Sequence, residues 1–153
     1  MTNEIFKKIP LVSRRRLLTS LGAMTFMGYS SAALADDLVL IVNPKNTQDP
    51  SSAELAAMFT TRKKTWEKSG RVVPFNFPPR HATRVRFDES VLKMRPDEVA
   101  RYWIDRRIRG GNSPPKQVGN AQLIVRLVAK LEGSIAYVPR SAVNSSVRIV
   151  RGV

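Results

Sequence analysis

Hydrophobic positions after residue 37 follow two different periods, and this pattern predicts strands interleaved with helices. The run 38–42 is continuously apolar and stops at Asn43-Pro44, which is typical of a buried, central strand. A second strand is predicted over 71–77, where Pro74 favours an edge position or a bulge because proline donates no hydrogen bond to a neighbouring strand. Two further strands are predicted over 134–138 and 147–150, the last of them partly exposed.

Four segments have the apolar spacing and the end signals of helices. Ser51-x-x-Glu54 has the spacing of a capping box, and it predicts a short helix that buries Leu55, Met58 and Phe59. The other three helices are predicted over 83–92, from Pro96 to the stop at Gly110-Gly111, and from the cap Asn120 to Gly133. This order of strands and helices predicts an α/β domain.

The two longest predicted helices each have an apolar face that should turn toward the core. In the helix that begins at Pro96, these positions are Val99, Tyr102, Trp103 and Ile108. In the helix after Asn120, they are Leu123, Ile124, Leu127, Val128 and Leu131. The segment 112–119 between the two helices contains Pro114-Pro115 and is predicted to be a loop.

The first 35 residues have the three parts of an export signal and are predicted to be cleaved. The basic part contains Ser13, Arg14, Arg15, Leu17 and Leu18, a pattern that resembles the twin-arginine signal, with the general export route as the alternative. The small residues Ala33 and Ala35 mark the cleavage site. A retained membrane anchor is the other interpretation, but the apolar segment is diluted by serine, threonine and glycine. The remaining protein, 36–153, is therefore expected to be periplasmic or secreted.

Basic residues dominate the charge of the chain. It has 26 lysines and arginines, 12 acidic residues and a net charge of +14. The leader contributes five bases and one acid, so the remaining 118 residues keep 21 bases, 11 acids and a net charge of +10. This excess favours anionic partners such as phosphate groups or acidic envelope polymers, although a solvated cationic surface explains it equally well. Cysteine is absent, which excludes disulfides and thiolate metal sites.

Landmarks over nearly all of 36–153 occur in the order seen in one known family. They are Asn43-Pro44, Glu54-Leu55-x-x-Met58-Phe59-Thr60, Trp66, the strand 71–77, Arg84-x-x-Phe87, Tyr102-Trp103 and Gly133-Ser-Ile135-Ala-Tyr137-Val138-Pro139. Together they resemble the phosphate-binding substrate-receptor proteins of ABC transporters, and in particular short, single-lobe periplasmic proteins of that superfamily. The resemblance implies one PBP-like lobe with a mixed sheet of about four strands, flanked by about four helices. It also implies a transporter or another envelope protein as a partner.

The loop after the strand 71–77 is the strongest candidate for an anion site. In the receptors that the chain resembles, this loop carries an arginine followed shortly by Ser-Gly-Thr, and the resemblance carries this role to Arg80 and Thr83, with His81-Ala82 in place of Ser-Gly. Free amides at the start of a helix attract anions, and Arg80, Thr83 and Arg84 would add hydrogen bonds to phosphate oxygens. The alternative is that Thr83 caps the helix and both arginines are solvated.

The other residues that could act in catalysis or ligand binding are predicted to have structural roles. His81 is the only histidine and is predicted to be an ordinary loop residue rather than a metal ligand. Trp66, within the basic connector 60–70, is predicted to pack on the sheet rather than to stack on nucleic acid. Asp88-Glu89 and Asp97-Glu98 are adjacent pairs rather than an acid and a base that face each other. No catalytic residue, metal or cofactor is therefore predicted.

The sequence thus supports two functions. The first is an exported, non-catalytic binding protein of the phosphate-receptor type, which binds a phosphate-like small anion or an acidic envelope component. The second is a cationic protein-interaction module of the envelope that has no small-molecule ligand. A nucleic-acid partner is not expected for an exported protein, and a hydrolase of phosphorylated substrates is a distant third.

Overall fold

The computed structural model describes residues 37–68 and 70–152, without the side chains of residues 151 and 152. The predicted signal motif Ser13, Arg14, Arg15, Leu17 and Leu18, the cleavage residues Ala33 and Ala35, and the alternative of a membrane anchor lie outside this range. The described residues form β1 Leu38–Val42, α1 Ser52–Phe59, β2 Val73–Asn76, α2 Ala82–Phe87, α3 Pro96–Ile108, β3 Lys116–Gln117, α4 Ala121–Lys130, β4 Ser134–Pro139 and β5 Arg148–Gly152. A π-helical turn, Asp88–Leu92, continues α2, and a 3-10 turn, Arg140–Ala142, follows β4.

The strands form one mixed sheet, which confirms the predicted α/β class. In the described part of the chain, the strand order is β3-β2-β4-β1-β5. β2 is parallel to both β3 and β4, whereas β1 is antiparallel to both β4 and β5. All five residues of β1 are buried, so the continuous apolar run does mark an interior strand.

Pro74 was predicted to lie at an edge or at a bulge, and β2 as a whole is not an edge strand. β2 lies between β4 and β3, and β3 is a two-residue strand within the segment that was predicted to be a loop. β3 pairs with β2 only from Phe75 onward, whereas Pro74 is paired with Ile135 on the β4 side. The proline therefore precedes the β3 pairing, and a strand of two residues is too short to leave a periodic signal in the sequence.

β4 is buried on both faces because helices cover the sheet on both sides. Tyr137 packs on Phe87 with ring centroids 3.8 Å apart and also contacts Phe59 and Phe77. Ser134, whose side chain points the other way, donates hydrogen bonds to carbonyl groups of Val128 and Leu131 at the end of α4. Because successive strand residues face opposite sides, α4 lies on the face opposite to the aromatic cluster.

Helix boundaries agree with the predictions better than helix faces do. Pro96 is in the first turn of α3, and Asn120 caps α4 by accepting a hydrogen bond from the amide of Leu123. Ile108, however, is 79 % exposed, whereas Val99, about two and a half turns earlier and therefore on the opposite side of α3, is buried. In α4 and its C-cap, Leu123 and Leu131 are 41 % and 42 % exposed, while Val125 is buried. The segment 83–92 is not one α-helix, since it changes to π geometry at Asp88.

No helix in residues 37–68 and 70–152 is long and apolar enough to cross a membrane.

Candidate functional site

The predicted anion loop follows β2 and leads into α2. His81, not Thr83, caps α2, because the His81 Nδ1 accepts a hydrogen bond from the Thr83 amide at 3.3 Å. The imidazole ring also stacks on Phe77, with ring centroids 4.3 Å apart and planes 21° apart. Arg80 is exposed and Thr83 is half-buried. His81 therefore has the capping role that was considered for Thr83, and the hydroxyl of Thr83 remains available for other contacts.

Arg84 has a different environment from Arg80. Its side chain is only 4 % exposed, and its Nε lies 3.2 Å from the Asp88 Oδ2. Its Nη1 donates a second hydrogen bond, of 3.0 Å, to the carbonyl oxygen of Phe77. The structure therefore places Arg84 in an internal ion pair that ties α2 to the end of β2, away from solvent.

Asp88 and Tyr137 lie in the same buried region. Burial raises the pKa of the Asp88 carboxyl, and the charge and hydrogen bond of Arg84 offset part of that rise. Burial also raises the pKa of Tyr137, with a further contribution from the charge of Asp88, so the phenol stays neutral and donates its hydrogen bond to the Asn76 side chain. Asp88 Oδ1 has no hydrogen-bond partner in the described part of the chain. This cluster is a structural feature of the core and is closed to ligands.

A second candidate site lies elsewhere, beside the beginning of β2. It is an open groove of about 680 Å³ between the connector 61–64, the segment 71–74 and the loop 111–116, and we call it the basic groove. Its lining includes Lys63, Lys64, Arg71 and Lys116, and it contains no acidic residue. The predicted anion loop does not line it. β2 thus has a candidate anion site at each end.

Most of the positive charge of the basic groove is not neutralised. Lys63 forms an ion pair with Glu54, the acid of the α1 capping box, and this pairing together with the Ser51 amide lowers the pKa of Glu54 to about 2. Lys64, Arg71 and Lys116 have no ion pair or side-chain hydrogen bond within the described residues. Three free cations around one groove make an electropositive surface that attracts anions.

The backbone turn at Thr61 brings the basic connector to this groove. Thr61 follows α1 with a φ of 57°, the left-handed conformation that glycine usually adopts after a helix. The amides of Thr61 and Arg62 donate to the carbonyls of Met58 and Ala57, at 3.0 and 2.7 Å, which is the hydrogen-bond pattern of a Schellman motif. A β-branched residue in this conformation is rare and strained.

The remaining residues singled out in the sequence have structural positions. Trp66 is buried, as predicted, and its Nε1 donates a 2.8 Å hydrogen bond to the carbonyl oxygen of Gly133. Tyr102 donates a 3.0 Å hydrogen bond to the carbonyl oxygen of Thr60, and its ring meets that of Trp103 edge to face. Within the described residues, no group of three or more histidine, cysteine or acidic side chains could hold a metal ion.

Sequence reasoning missed the basic groove, although it identified most of its charge. The basic connector 60–70 was recognised, but 111–116 was treated only as a loop, and the two segments are about 50 residues apart in sequence. The one local signal was Thr61, the second residue after the predicted helix, at a position where glycine is the usual residue.

Comparison with known proteins shows a similarity of fold only. No family model matches the sequence, and no curated protein matches it. Among solved structures, an ABC-type phosphate transport receptor from Vibrio cholerae matches with a TM-score of 0.60 and 15% identity, over 76% of this chain and 46% of the receptor.

Two further solved structures give the same result. A candidate phosphate ABC transporter substrate-binding protein with bound phosphate, from Clostridium perfringens, matches with a TM-score of 0.61 and 19% identity, over 76% of this chain and 44% of its own. PstS from Borrelia burgdorferi matches with a TM-score of 0.57 and 13% identity, over 75% and 46%. The chain spans less than half the length of each of these proteins, and the similarity is one of fold.

Proposed function

We propose that this chain is an exported, non-catalytic binding protein that binds a phosphate-like oxyanion at the loop 78–84. The fold shared with phosphate receptors, one of which was solved with bound phosphate, supports this class of function. The observation that carries the proposal is Arg80, whose exposed guanidinium follows β2 and has no partner within the described residues. Thr83 lies one turn further along the chain and supplies a hydroxyl. Arg84, which is committed to Asp88, is omitted from the ligand set.

A guanidinium and a hydroxyl on one loop suit an oxyanion. Arginine presents several N–H groups in a fixed plane that matches the oxygens of phosphate, and such charge-assisted hydrogen bonds are stronger than neutral ones. Both groups can donate hydrogen bonds to the oxygens of a bound anion. Release from the leader at Ala35 would deliver the protein to the periplasm or the medium, where the N-terminus of the recovered protein should be Asp36.

Thermal stabilisation by orthophosphate tests the proposal. A ligand at 100 times its Kd stabilises the folded protein by about 2.7 kcal/mol, so orthophosphate should raise the Tm of the full-length chain. Arg80→Ala and Thr83→Ala should abolish this rise. Arg126→Ala, which removes the same charge from an exposed position on α4, should keep it. No rise with the unmodified chain, or an equal rise in all variants, would contradict the proposal.

A protein-interaction module is the second candidate function. It is favoured by Ile104 and Ile108, which are 59 % and 79 % exposed and lie one turn apart on α3 among arginines. Exposed apolar pairs of this kind are found at protein contacts. If the chain is such a module, phosphate and other oxyanions should leave its Tm unchanged. The double variant Ile104→Ser with Ile108→Ser should then no longer co-purify with an envelope partner.

A further inference from the structure

The basic groove is a second site, separate from the loop that carries the proposed function. It lies where β2 and β3 begin, whereas the loop 78–84 follows the end of β2. β2 has four residues, which places the two sites about 13 Å apart along the strand at about 3.3 Å per residue. A single small anion therefore cannot contact both.

The groove combines positive charge with an apolar floor. Lys64, Arg71 and Lys116 supply free cations, while Val72, Pro74 and Pro115 supply apolar surface. Its volume of about 680 Å³ is in the range of sites for organic ligands, about 300–1,000 Å³. Inorganic phosphate is too small to fill this space and has no apolar surface to cover the floor, so the groove suits a larger molecule.

Thr61 gives a second, independent indication. It lines the groove, and its left-handed backbone is strained for a residue with a side chain. Its Oγ1 is buried without a hydrogen-bond partner in the described part of the chain. Strained backbone and unpaired polar atoms cluster at binding sites, where a ligand compensates for them.

We propose that the basic groove binds a small organic polyanion, with two or more oxyanion groups on an apolar body. The oxyanions pair with Lys64, Arg71 and Lys116 around the rim, and the apolar body covers the floor. This ligand class differs from the inorganic oxyanion of the loop 78–84, and it does not depend on that site.

Titration with pyranine, a pyrene that carries three sulfonate groups, tests the proposal on the full-length chain. Its fluorescence anisotropy should rise on binding, and Lys64→Ala with Arg71→Ala should weaken binding at least about tenfold, a loss of about 1.4 kcal/mol. Lys116→Ala should weaken it as well. Arg126→Ala with Lys130→Ala removes the same charge from α4 and should leave binding unchanged.

Competition separates the groove from the loop. Arg80→Ala with Thr83→Ala should bind pyranine as the unmodified chain does, and orthophosphate should not displace the dye at equal ionic strength. Tripolyphosphate, which has the charge without the apolar body, should bind to the groove more weakly than pyranine does. The proposal is overturned if the α4 variant loses as much affinity as the groove variant, since binding would then depend on net charge alone. Full displacement by orthophosphate would overturn it as well.

Discussion

Replacement of Arg84 separates a structural arginine from a ligand-binding one. Arg84→Met keeps most of the length of the side chain but removes the guanidinium that contacts Asp88 and the carbonyl of Phe77. The Asp88 carboxyl, itself buried, then loses its only cation among the described side chains. We therefore expect Arg84→Met to destabilise the fold, with no direct effect on a bound anion.

The size of this loss follows from burial. Removal of one partner from a buried ion pair costs about 3–5 kcal/mol because the other charge stays desolvated. Asp88 limits the cost because burial already raises its pKa, and the variant can take up a proton instead of holding an unpaired charge. We expect a loss of about 3 kcal/mol at neutral pH, which in a domain of this size lowers the Tm by roughly 10 °C.

The loss should also depend on pH. A carboxyl whose pKa is higher in the folded than in the unfolded state binds its proton more tightly when folded, so stability falls as pH rises between the two values. The deficit of Arg84→Met relative to the unmodified chain should therefore be largest near pH 7, should shrink as the pH falls toward about 4, the usual range of an aspartate, and should stay small below it.

Urea unfolding, followed by circular dichroism, measures these differences. Arg84→Met combined with Asp88→Leu should recover to within about 1 kcal/mol of the unmodified chain, because an apolar pair replaces the ion pair. Arg126→Met, on the exposed face of α4, serves as the control and should change stability by less than about 0.5 kcal/mol. The reasoning fails if Arg84→Met unfolds at the same urea concentration as the unmodified chain yet no longer responds to orthophosphate.

Two further predictions concern the start and the end of α1. Thr61→Gly should stabilise the fold by about 0.5 kcal/mol in urea unfolding, because relief of the left-handed strain exceeds the extra entropy of glycine in the unfolded chain; a clear loss of stability would contradict it. Glu54, with its pKa lowered to about 2, stabilises the folded state above pH 4.5 and loses this effect as the pH falls toward 2. Glu54→Gln should flatten that part of the curve of Tm against pH, and an unchanged slope would rule out this role.

Elements whose signals lie within a few residues were predictable from the sequence. Ser51 and Glu54 do exchange the two hydrogen bonds of a capping box, at 3.3 and 2.9 Å, and the run 38–42 is an interior strand. Both predictions rest on contacts between residues three apart or on a continuous apolar run. Such patterns are complete in the local sequence, so no distant partner is needed to define them.

The candidate site was only partly predictable for the same reason. The sequence offered Arg80 and Arg84 as equivalent cations, and only the packing of α2 against the end of β2 leaves the first exposed and buries the second. Ile108 was expected on the inner face of α3 with Val99, yet it is exposed, since a separation of nine residues makes about two and a half turns and places the two positions on opposite sides of the helix.

The sequence by itself determined the α/β class, the central strand, the helix caps and the strongly basic charge, because these depend on composition and on short-range spacing. Tertiary structure decided where that charge acts. It paired Arg84 with Asp88, paired β2 with the two-residue strand β3, and brought Lys64 and Arg71 to the same groove as Lys116. These positions are set by contacts between segments far apart in the chain, and local spacing carries no information about which distant surface a side chain will meet.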